Sequence, residues 1–339
     1  MENQRVRIAD IAEELGLSTA TVSNVIHGRT NKVSAETVKR VQQLIEERQY
    51  IPSMAGMLLA RNDSKIIGVM INNHTKYERR VLQDPFISAA VDYLSEEIEK
   101  SGYFMMIKTT SDCRDIIRFA SMWNMVGAIM VGFCGEDYEY LRSQLHIPMV
   151  VYDGYFDKIE RYANVTVDDF DGGMQMGKYL IGKGHRKILC IADNDICMDN
   201  KRYMGLASAS GQCGGVQVNR MLVPMKRSER EVYYTGHLEE IMSYSAVFAV
   251  SDVYAAELIG FLSSHGIRVP QDISVAGFDD SPICGMITPK LTTIHQDNQT
   301  RARAAVELLL YQKEHPDSHQ NRILPVYLVE RESVQNLQR

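Results

Sequence analysis

The sequence predicts an α/β protein in which a small all-helical head and a short linker precede a body of parallel sheets flanked by helices. Three observations carry that reading. Apolar residues in the first fifty positions recur at helical spacing in three short stripes. Pro52 ends the third stripe, and from Lys65 onward continuous apolar runs alternate with helical stretches. Strands buried on both faces of a parallel sheet read as such runs, whereas half-exposed strands alternate. With 339 residues the chain can bury two or three separate cores.

In the head, Ile8, Ile11, Ala12 and Leu15 share one helical face. Gly16 stops that helix and supplies a turn. Ser18 then stands where an N-cap belongs, its hydroxyl available to a free amide of the next helix. In that second helix Val22, Val25 and Ile26 face one way, Ala20, Asn24 and His27 lie opposite, and Thr21 and Ser23 take the flanks. After Gly28 a polar loop leads to Ser34, a second N-cap, and Val38, Val41, Leu44 and Ile45 stripe a third helix. Two short helices joined by a tight Gly-containing turn read as a helix-turn-helix. The outer face of the second helix is small and polar rather than charged, which suits a helix lying deep in a DNA major groove. On that reading the hydroxyls of Ser18, Thr21 and Ser23 meet phosphates, aided by the positive helix N-terminus, and Thr19, Ala20 and Asn24 meet base edges. Periodicity alone is equally met by an ordinary three-helix packing module. Past Pro52, Ser53 to Ala60 can form about two helical turns, which need a partner, since isolated helices below ~12–15 residues are marginal in water.

The body's apolar runs are IIGVMI (66–71), FMMIKT (104–109), VGAIMV (126–131), MVVYD (149–153), ILCIAD (188–193), VFAVSD (247–252) and ISVAGFDD (273–280). Interleaved with helices they indicate βαβ units, with strands enough for two sheets. Several runs end in polar residues, and open α/β sheets bind ligands at the carboxyl ends of their strands. Net charge is −6 but uneven: residues 1–61 hold 8 Lys and Arg against 7 Asp and Glu, the remainder 29 against 36. A near-neutral head on an acidic body argues against bulk polyanion binding and allows a few placed DNA contacts. The six cysteines are scattered without CxxC or Cys/His pairing, so free thiols, no metal and no cofactor are expected. Asp193-Asn194-Asp195 with Asp199 faintly suggests a calcium loop, but Cys197 occupies a ligand position and Met198 that of the turn glycine. The first residues carry no signal-type apolar core, and no run approaches the ~18 residues a membrane helix needs, so a cytoplasmic location is expected.

DIAEELGLSTATVSNVIHG, VSAETVKRV and YIPSMAGMLLA together resemble the head and hinge of the LacI/GalR family of bacterial transcriptional regulators. The likeness runs from about Arg5 to Val334 through VDDFDGG (167–173), GKGHRKI (182–188), Arg202 with Gly205, VFAVSD, GIRVPQDISVAGFDD (266–280), PKLTTIHQD (289–297) and VERESV (329–334). It implies a helix-turn-helix domain over 1–49 and a hinge helix and linker over 50–64. Over 65–339 it implies a two-lobed periplasmic-binding-protein-like body that dimerises, is crossed three times by the chain and holds an effector in its cleft. It further implies a homodimer on a pseudo-palindromic double-stranded operator, with His27 joining the DNA-binding residues and Leu59 wedging into the minor groove. The family's effector pocket maps onto Asn72, Asp153, Arg202, Ser251 and Asp279. Carboxylates accepting from adjacent hydroxyls and a guanidinium donating a planar pair suit a sugar. A nucleobase or phosphorylated metabolite acting as co-repressor is the alternative.

Several positions depart from the family pattern. Asn24 stands where arginine is frequent, His27 where asparagine is, Arg7 where a threonine cap is common, and Gly56 where a helix-favouring alanine is usual. Ser251 replaces the usual asparagine. The segment 72–86 carries Lys76, Arg79 and Arg80, read as a solvated loop, with an anionic effector as the alternative. Asp252 and Asp280 are assigned to helix caps. No GxSxG, Walker A, GxGxxG after a strand or HExxH is present, so a regulator is expected, not an enzyme. A sugar-binding protein without DNA binding is the remote alternative, and it leaves the head unexplained.

Overall fold

The computed structural model describes residues 6–51, 64–133, 135–155 and 163–338. The expected hinge helix, with Gly56 and Leu59, lies outside them. The chain divides into two compact units, Met1–Ser64 and Lys65–Arg339.

In the first unit α1 (Ile8–Leu15), α2 (Thr19–Ile26) and α3 (Ala35–Glu47) enclose Ile11, Ala12, Val22, Val25, Val41 and Leu44. Gly16 takes the left-handed conformation (φ 65°) that ends α1. Ser18 Oγ accepts from the Thr21 amide at 3.1 Å and Ser34 Oγ from the Thr37 amide at 3.2 Å, capping α2 and α3. At α1, where a hydroxyl cap is replaced by Arg7, Asp10 turns back to accept from the Arg7 amide at 2.8 Å. That is half of a capping box, and it satisfies one orphan donor.

In the second unit, β1 (Ile66–Ile71), β2 (Phe104–Thr109), β3 (Gly127–Val131), β4 (Met149–Tyr152), β5 (Asn164–Val167) and β11 (Asn321–Leu324) form an all-parallel sheet. Its order is β11-β5-β4-β3-β1-β2. Strand side chains alternate in direction. Ile67, Val69, Ile71, Ile129, Val131, Val150 and Val165 therefore share one face with α4 (Pro85–Lys100), while Met70, Ala128, Met130 and Val151 turn to the other. Helices α5 (Cys113–Met122) and α6 (Gly135–Gln144) bury Ile116, Ala120, Tyr138 and Leu141, and the Tyr138 hydroxyl donates to the Met149 carbonyl at 3.1 Å.

A second parallel sheet, ordered β7-β6-β8-β9, is built from β6 (Lys187–Ala192), β7 (Gln217–Leu222), β8 (Ala246–Ala249) and β9 (Ser274–Ala276). On one face Leu189, Ile191, Val247 and Val275 meet α9 (Arg227–Gly236), α10 (Leu238–Met242) and α11 (Asp252–Ser264). On the other, Ile188, Cys190, Phe248 and Ala276 meet α7 (Asp169–Gly182) and α8 (Cys197–Gly211). The strands β10 (Thr293–Gln296) and β12 (Val326–Val329) pair antiparallel beside this core. A short α12 (Ile283–Met286) precedes them, and α13 (Asn298–Glu314) returns to the first core through Ala302, Ala305 and Leu309. The chain thus passes between the two sheets three times: after β5, before α13 and after β11.

Of the seven expected strands all are present. β2 departs from burial on both faces, because it is an edge strand and Phe104 is 56% exposed. Among the described residues no helix is long and apolar enough to cross a membrane.

Helices α7 and α8 approach through glycine. A Cβ on Gly173 would lie 2.0 Å from the Arg202 carbonyl oxygen, and one on Gly205 2.0 Å from that of Phe170. Both obstacles are backbone, so the helices must separate to admit a methyl group. Gly205→Ala should destabilise the protein by roughly 1–3 kcal/mol in urea unfolding despite alanine's better helix propensity. Gly260→Ala, in α11 with nothing within 4 Å, should stabilise it by up to about 1 kcal/mol. Equal effects at the two sites would show that close helix approach is not the constraint.

Candidate functional site

The outer face of α2 presents Thr19 and Ala20 fully to solvent, with Thr21, Ser23, Asn24 and His27 half-buried, while Val22 and Val25 anchor the opposite side. Ser18 and Thr21 are not two free phosphate ligands: their hydroxyls hydrogen-bond each other at 2.8 Å as part of the cap. One hydroxyl hydrogen of the pair remains to donate outward, and the side chains beside it, Thr19, Ala20, Ser23 and Asn24, are small enough for the backbone of α2 to come close to whatever it binds.

In the second unit a cavity of about 320 Å³ opens between the two sheets. All five residues assigned to an effector pocket line it, together with Lys76, Asp84, Phe86, Asp193, Asp199 and Tyr254. Asn72, Asp153, Asp193, Ser251 and Asp279 lie just beyond the carboxyl ends of β1, β4, β6, β8 and β9, where a parallel sheet presents loops rather than side-chain ladders. Asp153 and Asp279 hold positive φ (67° and 122°), unusual for residues other than glycine. Asn72 donates to the Gly132 carbonyl at 2.9 Å, and its Oδ1 accepts no hydrogen bond. Ser251 is the N-cap of α11, its hydroxyl accepting from the Tyr254 amide at 3.5 Å.

Arg202 is the most deeply held group. Its Nε donates to Asp169 at 2.8 Å, its Nη1 to the Val250 carbonyl at 2.5 Å, and Asp279 lies 3.7 Å away. The guanidinium stacks over Phe278 with Cζ 3.6 Å from the ring centroid. From Asp279 the polar chain continues: Gln296 donates to Asp279 at 2.6 Å, Arg301 donates to Gln296, and Arg301 lies 3.4 Å from Asp153. Tyr155 donates to the far oxygen of Asp169. Burial drives Asp279 well above the usual carboxylate range and Asp169 up to about 6, against the pull of Arg202.

On the opposite wall, Asp193 accepts from the Tyr254 hydroxyl at 2.7 Å and from Asn194 at 2.5 Å; Asn194 also donates to Asp199 at 2.9 Å. Lys76 Nζ stands 3.9 Å from Asp193. Burial opposes the charge on Asp193, but Lys76 and the Tyr254 hydroxyl hold it below the usual range, while burial and then the charge of Asp193 push Asp199 up to about 7.

The faint metal signature at 193–199 is thus a cavity wall, and among the described residues no three His, Cys, Asp or Glu side chains are grouped to hold a metal. Asp193, Asp84 and Tyr254 escaped the sequence reading, although Asp193 follows a strand end, the one signal that points to it. Of the three basic residues in 72–86, Lys76 lines the cavity, whereas Arg79 and Arg80 face solvent. Asp252 and Asp280 do not cap helices. Asp252 binds the Ser281 amide at 2.7 Å and the Thr293 hydroxyl at 2.6 Å, and Asp280 pairs with Arg331 at 2.5 Å and His295 at 2.8 Å. Both clamp loops of the second lobe.

Asp199 ordinarily titrates near 3.8 and here near 7, so the native state keeps a proton that the unfolded chain loses. Native stability from this group therefore falls as pH rises through that window. Asp199→Asn should flatten the decline of Tm between about pH 4 and about pH 7. An unchanged slope in the variant would remove Asp199 as its source.

Residues 7–53 match the model of bacterial regulatory proteins of the lacI family, and residues 178–334 that of the periplasmic binding protein-like domain. A transcriptional repressor of the helix-turn-helix type from Pasteurella multocida, PurR, is 30% identical over 344 residues, covering 97% of this chain and 98% of that one. Among solved structures, the Lac repressor dimer bound to operator and an anti-inducer superposes with a TM-score of 0.85 at 22% identity, over 98% of this chain and 100% of that one. The transcriptional regulator CelR in complex with cellobiose gives 0.72 at 22% identity, over 97% and 100%. The chain belongs to the LacI/GalR family of bacterial DNA-binding transcriptional regulators.

Proposed function

We propose that the protein is a homodimeric repressor that reads a pseudo-palindromic operator with α2 and changes its hold on DNA when a small polyhydroxylated molecule, a sugar, occupies the cavity. The observation that carries this is the convergence of Asn72, Asp153, Arg202, Ser251 and Asp279, from five separate stretches of chain, on one 320 Å³ space. A small-ligand site is such a space, apolar in the main with a few placed polar groups. Support comes from CelR, solved with cellobiose, and from the Lac repressor, solved as a dimer on operator. A nucleobase co-repressor is the second reading, favoured by the aromatic side chains of Phe86, Tyr77 and Tyr254 in the lining, which offer faces for a planar ring. Either way the protein is a cytoplasmic regulator rather than an enzyme.

In the head, Thr19, Ala20 and Asn24 meet base edges, Ser23 and the Ser18–Thr21 pair sit beside phosphates, and His27 closes the helix. Leu59 is assigned to the minor groove on the family pattern. The body acts on the heads only if the ligand binds two arrangements of the body unequally.

Operator fragments selected from genomic DNA supply the assay. Asn24→Ala should weaken binding to the selected site about 10- to 100-fold and leave non-specific binding unchanged. Equal loss for both would remove Asn24 as a base reader. Asp153→Asn should retain operator affinity and lose the response to ligand; a normal response would move the effector site elsewhere.

A further inference from the structure

Five carboxylates line the cavity (Asp84, Asp153, Asp193, Asp199 and Asp279) against three cations, Lys76, Arg202 and Arg230. Two of those cations are matched from behind. Arg230 holds Glu257 in a double hydrogen bond at 2.6 and 3.1 Å, a carboxylate that the exposed Arg227 also meets at 3.2 Å, and Arg202 holds Asp169 at 2.8 Å. Arg301, outside the lining, stands beside Asp153, which is 7% exposed and whose Oδ1 accepts no hydrogen bond. Lys76 alone remains for Asp193, Asp199 and Asp84, with Asp279 sharing an already committed Arg202. Burial raises Asp84, Asp199 and Asp279, disfavouring their charged forms.

Lys76 is a loose partner. Its Nζ is 3.9 Å from Asp193, beyond hydrogen-bond distance, and its side chain is one-third exposed. It rises from a single 3-10 turn, Thr75–Tyr77, followed by two residues at positive φ, Glu78 and Arg79. This side chain belongs to the first lobe and its carboxylate partner to the second. It occupies the cavity as a tethered cation would.

We infer that the effector carries a protonated amine on a hydroxylated frame, the amine seated among Asp84, Asp193 and Asp199, and that Lys76 is its built-in competitor. The inference rests on the reading of this cavity as the effector site and specifies the ligand's chemistry. Hydroxyls alone satisfy the carboxylates' hydrogen bonds and leave the excess charge, whereas an ammonium group supplies both. A carboxylate or phosphate adds charge of the wrong sign, and Arg79 and Arg80, which would have favoured one, face solvent.

The test is calorimetric titration of the full chain near neutral pH with matched sets: glucose, glucosamine and glucuronate, and galactose, galactosamine and galacturonate. In at least one set the amine should bind about tenfold or more tighter than its parent, and the uronate weaker than both. Lys76→Met should raise the preference for the amine over its parent sugar, read as the ratio of the two affinities, about threefold or more. The inference is overturned if a parent or uronate binds as tightly as its amine, if Lys76→Met leaves that ratio unchanged or lowers it, or if no amine binds either protein. Operator affinity measured on the same samples separates the two levels. A parent sugar that shifts it upholds the sugar-responsive repressor and removes only the amine.

Discussion

The body is organised around one buried guanidinium. Arg202 is 4% exposed and lies between two carboxylates on an aromatic ring, and its own backbone carbonyl fills the space that a side chain at Gly173 would need. Taking such a charge out of water costs several kcal/mol per ion unless every donor is answered. Asp169, Asp279 and the Val250 carbonyl answer it, and they come from the start of α7, the loop after β9 and the end of β8. Four segments are thereby fixed to one group. The glycines that let α7 and α8 close on each other follow from it, since a wider separation would lift Arg202 off Asp169.

That constraint also sets the cavity's electrostatics. Once Arg202 is committed to Asp169, it has little left for Asp279, and burial leaves Asp279 reluctant to ionise. A carboxyl group that keeps its proton donates as well as accepts, which suits a ligand rich in hydroxyls. The opposite wall is balanced differently. Asp193 keeps its charge through Lys76 and Tyr254, and its neighbour Asp199 yields, as expected of two carboxylates competing for one cation. The two walls therefore differ in character, one neutral in tendency and hydrogen-bonding, the other anionic.

Much of this was legible in the sequence. Helical spacing placed Ile11, Val22, Val25, Val41 and Leu44 in the head's core, and Ser18 and Ser34 at its caps, because those signals are local. The apolar runs located the strands of both sheets. The strands that were missed, β5, β7, β10, β11 and β12, are short or carry polar residues such as Asn164, Asn219 and Arg220. Their burial depends on neighbours distant in sequence, which no local pattern records. The same holds at the cavity. Arg202 and Asp279 were reached through motif resemblance, while Asp84 caps Pro85–Lys100, accepting from the Phe86 and Ile87 amides, and no local pattern shows that it also lines the cavity. Asp252 and Asp280 misled for the converse reason. Each follows a strand where a cap is plausible, yet tertiary partners, Thr293 and Arg331, claimed them.

The polar chain Asp153–Arg301–Gln296–Asp279–Arg202–Asp169 also bears on how occupancy can be felt beyond the cavity. Its members sit at or next to all but one of the crossovers between the sheets: Asp169 just after β5, Gln296 and Arg301 on either side of the passage into α13. Rotation of one lobe against the other changes the backbone torsions of those segments, and so changes distances within that network. Interiors of this density switch between discrete packings rather than deforming smoothly. A ligand that touches Asp153 from the first lobe and Asp279 from the second therefore contacts members of that network in both lobes. That is the differential contact a ligand needs in order to shift an equilibrium. A molecule binding one wall alone would lack it however tightly it bound.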